Sequence, residues 1–352
     1  MVDNTAGLDI QKEAQSHVKD KIEASDTVAA SSWRKRLLSR KHLVLIAILT
    51  MVAVTAFALG LGLGLGLTQA SPAGSDRAHH PNPTQPCTVS STAAPSSASA
   101  NALAGTDIIQ PAIGTTWDYP LGFSLSASNV NKSIAFYPVD LENTSANTIS
   151  TLKSAGHTIV CYFSAGSVEN YRSDANQFPA SATGNTLDGW PDEKWVDIRD
   201  SAVRSIMAAR IQSAATKGCV GIDADNIDGY TNNSGFNLTE DDAVDYVTYL
   251  ANAAHAAGLA YGLKNGGGIV DRVVGVAEWA INEQCAEYSE CADWAPFVKA
   301  GKPVFHVEYT DSDDATTVSA SELEKACAAD GQSGFSSIVK HMTLDNWIVS
   351  CS

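Results

Sequence analysis

The chain has 352 residues, 44% of them hydrophobic and 18% charged, which is enough apolar content for a large buried core. Its formal net charge of −16, from 39 acidic against 23 basic side chains, argues against a nucleic-acid partner, which selects for excess Lys and Arg. The eight His are scattered, no Cys spacing resembles a zinc site, and neither a phosphate loop nor a Gly-x-Gly-x-x-Gly fingerprint occurs, so no metal and no cofactor is expected.

Residues 1–42 are polar, mixed in charge and rich in Ser and Ala, the composition of a disordered cytoplasmic tail. From 43 to 67 the chain carries no charge and ends in alternating Leu and Gly, a stretch long enough to cross a bilayer. Arg34, Lys35, Arg36, Arg40 and Lys41 precede it, whereas the other flank offers only Arg77, so the charge bias predicts a single-pass type II signal anchor with its N-terminus in the cytoplasm. A cleaved signal peptide is the competing reading, but its charged leader is normally much shorter. Residues 68–105 shift to Ser, Thr, Ala and Pro, as in an O-glycosylated stalk. The expected location of the remainder is extracellular, at the plasma membrane.

Residues 106–352 form one expected domain. Apolar β-branched or aromatic runs lie at Thr116–Tyr119, Ile134–Val139, Thr158–Phe163, Val220–Asp225, Leu259–Leu263, Trp279–Asn282, Val304–Glu308 and Ser336–His341. Helical patterns at Ala146–Ala155, Ser201–Lys217, Glu240–Ala256, Ile269–Gly275, Ala292–Lys299 and Ser319–Ala328 separate them, which predicts an α/β fold of the (β/α)8 TIM barrel type. An open doubly wound sheet is the alternative.

Polar residues recur at the predicted strand ends: Asp118, Asp140, Ser164, Asp225, Lys264 with Asn265, Glu283, and Glu308 with Tyr309. In a barrel these ends converge on one mouth. Most telling is Gly221-Ile222-Asp223-Ala224-Asp225, which puts two carboxylates on one face of an apolar strand, where burying charge is costly unless it is paired or working. Asp225 and Glu283 lie on alternate strands and are the candidate pair for two-carboxylate glycoside hydrolysis. Asp223 is read either as a modulator of that pair or as half of a buried ion pair, and Asp228 as a loop residue that contacts ligand or makes a turn. Trp117, Tyr119, Tyr137, Tyr162, Trp190 and Tyr309 are candidates for stacking on sugar faces or for the core.

Seven Cys lie beyond the expected anchor, in an oxidising compartment. Cys285 with Cys291 and Cys327 with Cys351 are expected bridges; Cys161 and Cys219 are either thiols or a third bridge, and Cys87 is left over. Asn131, Asn143, Asn232 and Asn237 head glycosylation sequons.

Several segments occur in one order: Trp117-Asp118-Tyr119-Pro120-Leu121, Val160 to Gly166 followed by Glu169-Asn170-Tyr171-Arg172, Trp195 to Arg199, Asp225-Asn226-Ile227-Asp228, Gly262-Leu263-Lys264-Asn265 and Asn282-Glu283-Gln284-Cys285. Together they resemble glycoside hydrolase family 114, the endo-α-1,4-polygalactosaminidases, over the whole segment after the stalk. The resemblance implies a TIM-barrel endo-hydrolase of α-1,4-linked galactosamine polymers such as galactosaminogalactan, with Asp225 as nucleophile, Glu283 as acid/base and retention of configuration. The expected substrate-binding residues are Trp117, Asp118, Asp140, Tyr162, Asp223, Asp228, Lys264, Asn265, Glu308 and Tyr309. The expected partners are a cationic polysaccharide and, through one helix, a membrane; the protein is expected to be a monomer. A non-catalytic wall-polysaccharide binder and a glycosidase for another α-linked galacto-sugar are the alternatives.

Overall fold

The architecture follows from where helix signals interrupt β-branched runs. In a computed structural model, which describes residues 108–351, strand β1 (Phe136–Asp140), helix α1 (Ala146–Ser154) and strand β2 (Thr158–Ser164) come first. Three strands of an insert follow: β3 (Ser167–Glu169), β4 (Thr183–Leu187) and β5 (Trp190–Val196). The alternation then resumes with α2 (Ser201–Lys217), β6 (Gly221–Asp225), α3 (Glu240–Ala256), β7 (Ala260–Lys264), α4 (Val270–Val273), β8 (Trp279–Glu283) and α5 (Cys285–Tyr288). Helix α6 (Ala295–Lys299), β9 (Val304–Tyr309), α7 (Ala320–Cys327), β10 (Ser336–Lys340) and β11 (Ile348–Ser350) complete it. The expected tail, anchor and stalk, with Cys87, lie outside the described residues.

The main sheet has the order β1-β2-β6-β7-β8-β9-β10-β11, and every pair in it is parallel except β10 with β11. It is a curled α/β sheet. Helices α2 and α3 keep their expected bounds because both carry strong start signals. Asp200 accepts from the N–H groups of Ala202 and Val203, and Thr239 with Asp242 forms a reciprocal capping box. Gly218, at φ 90°, ends α2 in the left-handed conformation that glycine adopts without strain.

One expected strand is corrected. The segment Thr116–Tyr119 is no full strand: it makes one parallel bridge, Trp117 to Phe136, before Pro120 removes a backbone donor. On the far side of β10 runs the short antiparallel β11, so side chains and a turn join the Trp117 segment to β10. Trp117 Nε1 donates to Ser336 O at 2.8 Å, Lys340 Nζ to Asp118 Oδ1 at 2.6 Å, and Gly122 N to Leu344 O at 3.0 Å.

Inside the curl lies an aromatic layer of Trp117, Phe136, Trp279 and Phe305, with Phe136 stacked on Phe305 at 4.4 Å. Two glycines make room for it. A Cβ on Gly262 would sit 2.0 Å from Trp279 Nε1, and one on Gly221 2.5 Å from Trp279 Cη2. A larger apolar cluster fills the space between sheet and helices.

Disulfides join Cys161–Cys219, Cys285–Cys291 and Cys327–Cys351. The first, the open choice in the sequence, links β2 to the start of β6. Cys285 and Cys291 also approach His306, but their sulfurs are bonded to each other and offer no thiolate to a metal. Asn131, Asn143, Asn232 and Asn237 are all exposed, as sequons must be to accept a glycan.

Candidate active site

Side chains alternate along a strand, so Gly221, Asp223 and Asp225 of β6, Gly262 and Lys264 of β7, and Trp279, Ile281 and Glu283 of β8 face the inside of the curl. The aromatic layer forms the floor and the charged residues the rim. At the centre is Lys264, 1% exposed, whose Nζ lies 3.0 Å from Asp225 Oδ1 and 2.9 Å from Glu283 Oε2. The two carboxylates remain 15% and 26% exposed, so both reach solvent above the buried ammonium.

Each carboxylate has its own orienting set. Asp225 accepts from Tyr162 OH at 2.9 Å and from Asn226 N at 2.8 Å. Glu283 accepts from Tyr309 OH at 2.5 Å and from Asn265 Nδ2 at 3.0 Å, while its own N–H donates to Asn265 Oδ1. Asn265 can reach back because its backbone turns left-handed, at φ 52°.

Burial pushes the Glu283 carboxyl up, but Lys264, Tyr309 and Asn265 outweigh it and hold Glu283 below the ordinary glutamate value. Burial works to discharge Lys264, yet Asp225, Glu283 and Asp223 keep its ammonium more basic than a free lysine. Asp223 is fully buried and takes one hydrogen bond, from Tyr119 OH at 2.9 Å, leaving Oδ1 without a partner. Burial raises it to about 7 against the pull of Lys264. Asp228, in the loop after β6, rises to about 6 by burial and by the nearby Asp225 charge.

Asp225, Lys264, Asn265, Glu283, Tyr162 and Tyr309 thus form one site linked by hydrogen bonds and ion pairs, and Asp223 and Asp228 act on it through their charge. The remaining expected residues sit elsewhere. Trp117 is in the floor, 1% exposed, with its indole N–H already satisfied by Ser336 O. Asp118 pairs with Lys340 and joins the first segment to β10. Glu308 neighbours Tyr309 on β9 and therefore faces the other way. It accepts from His306 Nε2 at 2.8 Å and from Ala286 N at 2.8 Å, capping α5 behind the sheet. Asp140 stays at the rim but is engaged by Arg172 at 2.7 Å.

The sequence reading missed the part of the site contributed by the insert. The residues after β2 turn into β3 beside Asp225, and Ala165 N and Gly166 N donate to Asp225 O at 2.8 and 3.1 Å. Arg172 binds Glu169 at 2.7 Å as well as Asp140. Glu193, raised to about 7 by burial and by Glu169, accepts from Ser167 Oγ at 2.9 Å. The segments 183–187 and 190–196 gave no apolar strand pattern; their signals were the motif Glu169 to Arg172 just ahead of them and Trp195 to Arg199, which overlaps the end of the second.

The rim pairs two partly exposed carboxylates on one strand-end ammonium, the groups that acid/base work at a glycosidic bond requires. A family model, glycoside-hydrolase family GH114, matches residues 98–352. The chain belongs to glycoside-hydrolase family GH114. As a GH114 protein it is a glycoside hydrolase, and the match covers the whole described fold. A crystal structure of Aspergillus fumigatus Ega3 in complex with galactosamine is similar at 44% identity and a TM-score of 0.67, covering 70% of this chain and 99% of that one. The glycoside hydrolase domain of PelA from Pseudomonas aeruginosa is similar in fold, with 15% identity, a TM-score of 0.50, and coverage of 67% of this chain and 97% of that one. No curated protein matches.

Proposed function

We propose that this GH114 enzyme is an endo-acting hydrolase of α-1,4-linked galactosamine polymers that works with retention of configuration, with Asp225 and Glu283 as its catalytic pair. The observation that carries the reading is the shared Lys264. The oxygens that lie 3.0 and 2.9 Å from this one nitrogen are at most about 6 Å apart, which supports the close spacing of a double displacement. The galactosamine bound to the similar Ega3 supports the sugar.

In the first step an Asp225 oxygen attacks the anomeric carbon while Glu283 delivers a proton to the departing glycosidic oxygen. In the second, Glu283 takes a proton from water, whose oxygen displaces Asp225. Lys264 holds Glu283 in its ionised form, so the acid role of Glu283 requires that substrate loosen this contact. Beside the pair, Asp140, Glu169 and Asp228 outnumber Lys264 and Arg172, and the partial charges of Glu193 and Asp223 add to a negative field that draws in an amino-sugar polycation.

The barrel reading belongs here too. The Trp117 segment and the seven parallel strands of the main sheet supply eight staves, joined by side chains where the ladder is missing. The uncharged stretch 43–67, with basic residues before it, supports a type II anchor that presents this enzyme outside the plasma membrane as a monomer.

The test is hydrolysis of defined α-1,4-galactosamine oligomers by the full chain, with products identified by mass spectrometry and anomeric configuration by NMR. Asp225→Asn and Glu283→Gln are each expected to cut kcat/KM at least ~10³-fold while the fold is kept. An activated leaving group that needs no proton separates the roles: Glu283→Gln regains the first step on such a substrate and Asp225→Asn does not. Full activity in both variants would sink the assignment.

A further inference from the structure

Glu193 touches neither catalytic carboxylate, yet a directed chain of hydrogen bonds runs from it to Asp225. Asn226 Nδ2 donates to Ser164 Oγ at 2.9 Å, Ser164 Oγ and Ser167 Oγ lie 2.5 Å apart, and Ser167 Oγ donates to Glu193 Oε2 at 2.9 Å. The amide nitrogen at one end has only protons to give. The carboxylate oxygen at the other end accepts, so each serine hydroxyl has one available direction, toward Glu193. Ser164 and Ser167 are fully buried, and Glu193 is nearly so.

The chain holds the segment whose N–H orients Asp225. Asn226 occupies the left-handed region at φ 61°, and its backbone N–H donates to Asp225 Oδ1 at 2.8 Å. Gly166 packs so closely that a Cβ there would lie 1.6 Å from Asn226 O. Arg210 Nη1 fixes the Ser164 carbonyl at 2.7 Å, which anchors the middle of the chain. With the Asn226 side chain tied at Ser164, its peptide has one arrangement, and Asp225 Oδ1 is clamped between that N–H and Lys264.

We propose that Glu193 is a positioning residue for the reaction, acting through Ser167, Ser164 and Asn226 to hold Asp225 at its attacking angle. The inference rests on the reading of Asp225 as a member of the catalytic pair. It assigns a role in catalysis to the insert β3–β5, because the acceptor that terminates the chain lies on β5 and the serine beside it on β3. A carboxylate turned from its attack line loses rate with little effect on sugar binding, so the loss belongs in kcat.

Glu193→Ala, Ser167→Ala, the double variant, Glu193→Gln and Asp225→Asn are compared in the full chain by kcat and KM on α-1,4-galactosamine oligomers, with thermal unfolding measured on each. Glu193→Ala and Ser167→Ala are each expected to lower kcat about tenfold with KM within about twofold, and the double variant is expected to be no worse than either single. Glu193→Gln keeps an acceptor oxygen for Ser167 and is expected to recover most of the loss. If Glu193→Ala does not fold, Ser167→Ala with Glu193→Gln carries the comparison, since neither empties the position of the carboxylate. The inference is overturned by single variants with wild-type kcat, by losses that multiply in the double variant, or by Glu193→Gln no better than Ser167→Ala. Full activity of Asp225→Asn overturns the catalytic reading itself, whereas its loss beside a wild-type Ser167→Ala overturns only the role of Glu193.

Discussion

Two arcs of the curled sheet carry the same kinds of residue at their strand ends and use them differently. From β6 to β8, Asp225, Lys264 and Glu283 meet on one ammonium, and the two carboxylates stay 15% and 26% exposed. From β9 through β10 to the Trp117 segment, Glu308 meets His306 and Asp118 pairs with Lys340, but the acids there are 8% and 6% exposed and their partners fully buried. In the second arc burial pushes Asp118 up and Lys340 down in spite of their pairing, the mark of an ion pair that closes structure and is costly to desolvate. The arc we assign as the reactive site is the one whose acids keep access to solvent while their cation does not.

Exchanging the same chemistry between the arcs breaks the comparison most sharply. Asp225→Asn is expected to lose at least ~10³-fold in kcat/KM with little change in unfolding temperature. Asp118→Asn is expected to do the reverse: it leaves the Lys340 ammonium buried without its partner, costs about 3 kcal/mol in denaturant unfolding, and keeps kcat of the folded protein within about twofold. Equal stability losses in the two variants would erase the distinction between the arcs.

Lys264→Met tests the centre of the first arc. Two carboxylates then face each other without their cation, and kcat/KM is expected to fall about 10²-fold. Because Lys264 is the main group holding Glu283 down, the limb of the pH–rate profile that reports Glu283 moves to higher pH. An unmoved limb would show that Tyr309 and Asn265 suffice.

Asp223 supplies a pH signature of the buried floor beneath that centre. Its folded value of about 7 lies above the ordinary aspartate value of 3.8, so between these values the folded state binds the proton more tightly than the unfolded chain does. Its contribution therefore falls as pH rises through that window and stays unfavourable above it. Asp223→Asn, which keeps an acceptor for Tyr119, is expected to flatten this slope and to gain on the order of 1 kcal/mol or more at pH 8 in denaturant titrations. A wild-type slope in the variant would place the titration elsewhere.

The smallest expected effect is that of Glu308→Gln. It weakens the cap on α5 and the contact with His306, for a loss of about 1 kcal/mol, and leaves kcat and KM unchanged because the side chain lies behind the sheet. A change in KM would return Glu308 to the sugar-binding surface.

Much of this arrangement was legible in local pattern. The bounds of α2 and α3 follow from Asp200 and from the Thr239–Asp242 box, and Asp225 and Glu283 stand out as acids ending apolar strands. Glu308 was expected at the sugar-binding surface beside Tyr309, an expectation that strand alternation already opposed, since neighbours on a strand cannot share a face. The insert was not legible, because 183–187 and 190–196 are mostly polar strands, with only Leu187, Trp195 and Val196 as buried large apolar residues, whose pairing depends on one another and on β3. For Glu193 the chain showed only one more charged residue in such a segment.

By itself the sequence determined the family, the alternation of strand and helix, and the strand-end acids that we propose as the catalytic pair, because periodicity, capping and motif order are local properties. Tertiary structure decided that Lys264 bridges Asp225 and Glu283, that Lys340 takes Asp118, that Cys161 joins Cys219, and that Ser167 connects Glu193 to the site. Each of these links residues far apart in the chain, and they meet only through the curl of the sheet and the turn of the insert. The direction in which a side chain points is set by its own strand, whereas the partner it finds is set by curvature summed over all the strands between them.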